Sequence, residues 1–277
     1  MAGGAGYEAV RVAVIGAGRW GRLHAEKWAS MPGARLVGVV DHDLGRAKAA
    51  TAQMPSVAAF RTLEQLPPDV QACSVAVGID SLSKVAMAAL ERGLHVLVEK
   101  PMATSLAAAE RLHAEAQRTQ RVLAVGYLER FNPAVDLECQ PPRRYVSHRV
   151  GPNVGGARDW LLDWLVHDID LAHAHFREPL RFEGARFGPS GVGLRLSTPS
   201  GGVARLYAGA APSRRRRIWI DGRVCDLLAQ PGDPLAHELS QFLECVRGER
   251  PGRLALSGSA VSVLSVVDVV RRLSRAA

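Results

Sequence analysis

Gly16-Ala17-Gly18-Arg19-Trp20-Gly21 is a G-x-G-x-x-G that follows a β-branched run and opens a helical pattern. Glycines at this spacing let the backbone approach a pyrophosphate. The helix behind them aims free N–H groups and the positive end of its dipole at the phosphates. The spacing of Gly16, Gly18 and Gly21 is a weak signal alone, and its position after the first strand strengthens it. Asp41 stands at the end of the second β-branched run, where a carboxylate accepts hydrogen bonds from ribose hydroxyls and repels a 2′-phosphate. NAD is therefore expected ahead of NADP, with Arg46 the residue that could turn toward a 2′-phosphate.

Two further stretches suit proton chemistry. Glu99-Lys100-Pro101 ends another apolar run, and ligands of open parallel sheets bind beyond the carboxyl ends of the strands. Lys100 is thus aimed where a nicotinamide would lie, in a chain with only four lysines. Pro101 restricts it to extended backbone. Asp163 and His167, at i and i+4, share one face of a predicted helix, and a histidine suits general base chemistry near neutral pH. The bland readings are a solvated strand-end lysine and a satisfied core histidine.

The elements that must position these residues change character along the chain. Strands are predicted at Val10 to Ile15, Arg35 to Val40, Val70 to Val77, His95 to Val98 and Arg121 to Val125. Helical patterns lie between them near His24 to Met31, Leu44 to Gln53, Ser83 to Arg92 and Leu106 to Arg118. Nearly continuous apolar strands alternating with helices predict an α/β, doubly wound Rossmann sheet over residues 1–126. Residues 127–277 read as a second, α+β domain, and two domains sharing a cleft are expected. There a short helix at Phe131 to Cys139, a strand at Arg144 to Arg149 and a Gly/Pro loop at 151–156 precede a strong helix from Trp160 to Phe176. Short strands follow from Arg181 to Leu228, then helices at Pro234 to Arg247 and Ser259 to Arg275.

Composition excludes several classes. With 47% hydrophobic and 22% charged residues the chain can bury a core. The net charge is +8, but Arg214 to Arg217 is the only basic run and leads into apolar Ile218-Trp219-Ile220, so a strand entry is expected and no nucleic-acid partner. Cys73, Cys139, Cys225 and Cys245 are scattered, which argues against a zinc site or disulfide framework. No metal is expected. No apolar run approaches the ~20 residues of a membrane span and no secretory leader is visible, so no membrane partner and a cytoplasmic location are expected.

The combination of the glycine turn, Glu99-Lys100-Pro101 and Asp163 with His167 resembles the glucose-fructose oxidoreductase/inositol dehydrogenase (Gfo/Idh/MocA) family. Glu129-Arg130-Phe131-Asn132-Pro133 and Leu165-Val166-His167-Asp168-Ile169-Asp170-Leu171 are similar to the branch that oxidises UDP-N-acetylglucosamine at C3. The resemblance implies an NAD(P)-dependent sugar dehydrogenase with Lys100, Asp163 and His167 as its catalytic set. It further implies a second domain built on an open antiparallel sheet, and a homo-oligomer, dimer or tetramer. Cofactor contacts are expected from Gly16, Gly18, Arg19, Trp20, Gly21, Asp41, Val77, Gly78, Glu99 and Lys100. Tyr127, Arg130 and Asn132 are candidates to hold the sugar or its phosphates, beside Lys100, Asp163 and His167. Asp163 would orient Lys100 or His167, and either of those two could take the proton. Two departures from the family stand out: Val77-Gly78 replaces a Thr-Pro, and the second domain is short. They leave a non-catalytic NAD or sugar sensor of the same fold as the alternative.

Overall fold

A computed structural model describes residues 8–152, 160–229 and 232–276. Residues 153–156 of the expected Gly/Pro loop and the start of the chain to Tyr7 lie outside the described residues. The chain forms two compact units. The first takes in the chain up to Glu99, then Leu112–Gly126 and Leu235–Leu254; the second takes in Lys100–Arg111, Tyr127–Pro234 and the chain from Ala255. The helices, in order, are α1 (Arg19–Ser30), α2 (Leu44–Thr51), α3 (Leu82–Glu91), α4 (Leu106–Thr119), α5 (Val166–Phe176), α6 (Pro234–Val246) and α7 (Ser257–Ala276). No helix among the described residues is long and apolar enough to cross a membrane.

The first unit is a Rossmann sheet. Strands β1 (Val10–Ile15), β2 (Ala34–Val40), β3 (Ala58–Phe60), β4 (Ala72–Val75), β5 (His95–Glu99) and β6 (Leu123–Gly126) run parallel in the order β6-β5-β4-β1-β2-β3. All four residues of β4 and of β6 are buried, as continuous apolar runs in a covered parallel sheet require. The order reverses beside β1, so the glycine turn leaves the sheet at its switch point. Helix α1 buries Gly21, His24, Ala25 and Trp28, one stripe at helical spacing. Trp28 donates to Ser74 Oγ at 2.8 Å and meets Phe242 of α6 edge-on, ring centroids 6.3 Å apart.

Strand β3 was not anticipated, because Ala-Ala-Phe is too short to show a period. It pairs with β2 through Gly38↔Ala58 to Val40↔Phe60, and the Phe60 ring lies where a Cβ on residue 38 would stand. The expected strand Val70 to Val77 contracts to β4, and α1 starts five residues before its apolar pattern does.

In the second unit, strands β7 (Arg144–Gly151), β8 (Arg181–Gly188), β9 (Gly191–Ser197), β10 (Val203–Ala210), β11 (Arg215–Ile220) and β12 (Arg223–Asp226) form one sheet ordered β12-β11-β7-β10-β9-β8. Among the described residues of this sheet, β7 and β10 pair in parallel and the other neighbours antiparallel. Asp221 and Gly222, at φ +46° and +90°, make the two-residue turn between β11 and β12 that hairpin twist favours. The expected helix at Phe131 to Cys139 does not form. A 3₁₀ turn, Leu128–Phe131, is stopped where Asn132 Oδ1 accepts the Ala134 N–H at 3.0 Å, an Asx turn that competes with helix. The expected helix from Trp160 begins as a π-helical turn, Trp160–Leu165, before continuing as α5. Its apolar stripe, Leu161, Leu165, Ile169 and Ala172, is buried.

One histidine in the first unit makes the fold acid-sensitive. His95 Nδ1 accepts the Val122 N–H at 3.0 Å, and burial, then Arg121, lower its pKa to about 4. The native state therefore binds fewer protons than the unfolded chain between the unfolded value near 6.5 and about 4, so stability from this group is present above pH 6.5 and drains as pH falls toward 4. His95→Gln, which keeps an acceptor for Val122, is expected to flatten the fall in melting temperature between pH 7 and 4. An unchanged slope would count against this account.

Candidate active site

In the first unit, the turn after β1 is built to leave backbone bare. Gly16 has φ +104°, and a Cβ there would stand 2.3 Å from the Ala76 carbonyl oxygen. A Cβ on Gly21 would stand 1.8 Å from the Gly16 carbonyl oxygen, so helix and turn touch. Around Gly18 no atom lies within 4 Å of where a Cβ would be. Gly18 caps α1 without a side chain, and the first turn, with Arg19 and Trp20, has no acidic residue, so its N–H groups would meet an anion unopposed.

Asp41 is placed by two backbone bonds: Ala17 N–H donates to Oδ2 at 2.8 Å and Asp43 N–H to Oδ1 at 2.9 Å. Its own N–H donates to Phe60 O, so the unanticipated β3 supports it. Ile15, Asp41, Leu63, Val77, Gly78 and Val85 line one groove, which gives a carboxylate at one wall and apolar surface for a base. A second groove carries Ala17, Gly18, Arg19, Arg22 and Arg46. Bare turn, free helix N-terminus and near-buried carboxylate together fit a dinucleotide. Glu99, expected at the cofactor, holds His24 Nε2 of α1 at 3.2 Å.

In the second unit, Lys100 follows Glu99 through one peptide bond, and its own bond to Pro101 is cis. Lys100 Nζ pairs with Asp163 Oδ1 and also donates to the Asp163 carbonyl at 3.2 Å. Asp163 sits on the π-helical turn, a departure from α geometry common at functional positions. Its hydrogen bonds go to Lys100, not to His167. His167 lies in the first turn of α5, half-buried, with the Tyr127 ring edge-on at 6.2 Å. Burial, then the charges of Lys100, Arg149 and Arg216, push His167 well below the usual imidazole range.

Tyr127 is buried and Arg130 is bidentate to Asp170 at 2.7 and 2.6 Å, with Ser259 Oγ at 2.9 Å. Asn132 Nδ2 donates to Glu129 and to the Leu227 carbonyl. Both polar side chains expected at the sugar are thus engaged in buried structure. Asp168 and Asp170 reach side chains of other elements, Arg149 and Arg130. Arg149 of β7 is bidentate to Asp168 at 3.0 and 3.1 Å and donates to Glu129 Oε1 at 3.0 Å, which also takes Arg216 Nη1 at 3.2 Å. This cluster was missed. The available signal was strand alternation: Arg149 shares the inward face of β7 with Tyr145 and Ser147.

Asp168 adjoins His167, so the cluster fixes the turn that presents the imidazole. Removing one partner of a buried pair strands the other's charge; Asp168→Ala is expected to cost about 3–5 kcal/mol by urea denaturation. A loss below about 1 kcal/mol would mean that the pair is effectively solvated. In the glycine turn, Gly→Ala inside a helix normally gains up to about 1 kcal/mol. At Gly21 the clash decides, and Gly21→Ala is expected to lose about 1–3 kcal/mol together with the thermal shift given by NAD. An unchanged NAD shift would refute this role of the turn.

Residues 10–127 match the model of an oxidoreductase family with an NAD-binding Rossmann fold, Gfo/Idh/MocA. The UDP-N-acetylglucosamine 3-dehydrogenase of Acidithiobacillus ferrooxidans is 33% identical over 292 residues, covering 87% of this chain and 90% of that protein. Its solved structure superposes with a TM-score of 0.86 at 26% identity, over 96% of this chain and 97% of that one. An inositol 2-dehydrogenase of Acidothermus cellulolyticus is 31% identical over 193 residues, 62% of this chain and 55% of that protein. With its sheet, its glycine turn and these relatives, the chain belongs to the Gfo/Idh/MocA family and is an NAD-dependent dehydrogenase.

Proposed function

We propose that the protein oxidises a secondary hydroxyl of a nucleotide sugar, UDP-N-acetylglucosamine at C3, with Lys100, Asp163 and His167 handling the proton. The observation that carries this reading is the pairing of Lys100 with Asp163 beside an imidazole held neutral. The similarity to the Acidithiobacillus enzyme supports the choice of sugar.

The side chains divide the work by charge. An ammonium in an ion pair donates hydrogen bonds and accepts none, so Lys100 serves the substrate oxygen as a donor and steadies developing alkoxide charge. Asp163 holds Lys100 in place through carboxylate and carbonyl, and so acts as its positioning residue. His167 is neutral at pH 7 and can accept the hydroxyl proton, which makes it the base in this reading. Neighbouring cations disfavour the imidazolium, so the proton is passed on readily. Bound NAD, held by Gly16, Gly18, Arg19, Trp20, Gly21 and Asp41, supplies the hydride acceptor. Val77 and Gly78 form a wall of the same groove as Asp41.

Purified protein with NAD and UDP-N-acetylglucosamine is expected to form NADH, ahead of myo-inositol and free hexoses. The lowered His167 pKa places the acid limb of kcat/KM for oxidation below pH 6.5, with a plateau at neutral pH. His167→Asn is expected to abolish that limb and lower kcat by about 10²–10⁴-fold, the usual share of a general base. Lys100→Met should lower kcat strongly at every pH. NAD binding without turnover of any sugar would overturn the reading.

A further inference from the structure

Arg214 to Arg217, the one basic run of the chain, is divided by strand alternation. Arg215 and Arg217 belong to one face of β11, where Arg217 pairs across with His148 and bonds Asp226 at 3.0 Å. Arg216 belongs to the other, opposite Arg149 in register, on the side where Arg149 reaches Asp168 and Glu129. Arg214, two residues earlier, lies at Gly151 together with Trp164: a Cβ on Gly151 would stand 3.3 Å from the Trp164 ring and 3.8 Å from Arg214 Cα. Trp164 adjoins Asp163, and Arg216 is near enough to depress the His167 titration. Arg214 Cα and Cγ thus lie at Gly151 beside the Trp164 ring, and Arg216 joins through Glu129 the cluster whose Asp168 adjoins His167.

Their own pairing is incomplete. Arg216 makes one side-chain hydrogen bond among the described residues, at 3.2 Å, to a Glu129 oxygen that already accepts from Arg149. Its side chain is 31% exposed, and burial, then Arg149, lower its pKa, so desolvation is not offset by that bond. Arg214 is exposed. A guanidinium carries five donors in a fork suited to phosphate. A neutral polyol would leave both forks unanswered.

We infer that Arg214 and Arg216 form an anion-binding arm beside His167 that receives the diphosphate of a nucleotide-linked sugar. This rests on the reading of His167 as the residue that meets the sugar. It makes the arm the element that separates nucleotide sugars from inositols, both of which relatives of this chain oxidise.

Calorimetry with UDP, which carries the anion without the sugar, tests the arm independently of turnover. In the presence of NAD the wild type is expected to bind UDP, with Arg214→Ala and Arg216→Gln each weakening it by about tenfold or more, as loss of a charge-assisted bond implies. Arg215→Ala, on the opposite face, should bind UDP as the wild type does. Glutamine at 216 keeps a donor for Glu129; should that variant still unfold, exposed Arg214 carries the test alone. Wild-type protein that ignores UDP, or variants that bind it unchanged, would overturn the arm, and so would arginine-dependent binding of glucuronate in place of UDP. Arginine-dependent UDP binding without oxidation of UDP-N-acetylglucosamine would keep the arm and remove the catalytic reading. Turnover with unchanged KM in both variants would remove the arm alone.

Discussion

The bond between Arg149 and Asp168 is the constraint on which the second unit turns. Arg149 projects from the inner face of β7 and Asp168 from the first turns of α5, both almost wholly buried. Placing such charges out of water is costly and is tolerated only with close partners on all sides. Burial alone would lower the Arg149 pKa, but Asp168 and Glu129 raise it above its ordinary value. Burial likewise works against the Glu129 charge, yet Arg149 and Arg216 outweigh it and its pKa is lowered. The fork geometry of the guanidinium then sets the rotation of α5 about its axis. A hydrophobic contact of equal area would set the distance but not that rotation, and rotation decides where His167 points.

The two units manage charge in opposite ways. In the first, anion affinity comes from backbone: a bare glycine turn, an uncapped helix and a carboxylate already occupied by two N–H groups. In the second, side chains carry the charge: burial, then Lys100, Arg149 and Arg216, lower the pKa of the His167 imidazole. The basic residues behind the +8 excess are thus partly paired in this buried cluster and partly exposed. In the proposed reaction, a neutral histidine among cations would accept a proton and be reluctant to keep it, which suits turnover better than a strongly basic group would.

The Rossmann half was the more legible. Its strands are short apolar runs whose burial leaves no freedom of register, so Gly16, Gly18, Gly21 and Asp41 fell where the pattern put them. Strand β3 escaped because three residues show no period and its hold on β2 comes from Phe60 filling the space above Gly38. In the second half, Lys100, Asp163 and His167 came from resemblance more than from spacing. Part of their geometry was unexpected, since the helix opens as a π turn; of the two partners expected for Asp163, it bonds Lys100. Arg130 and Asn132 looked like surface ligands because polarity in a turn reads as exposure. Their partners, Asp170 and Leu227, are 40 and 95 residues away, a distance at which no local pattern carries information.

Helix α6 carries a consequence for how the chain is made. Phe242 and its neighbours complete the packing around Trp28, yet they lie more than two hundred residues downstream. In chain terms most of the second unit is an insertion within the first. On the ribosome the nucleotide-binding half cannot close its core until α6 has emerged, although all six of its parallel strands are already synthesised by Gly126. Until then Trp28 lacks its aromatic partner, and the half-built sheet is the species most in need of protection from association.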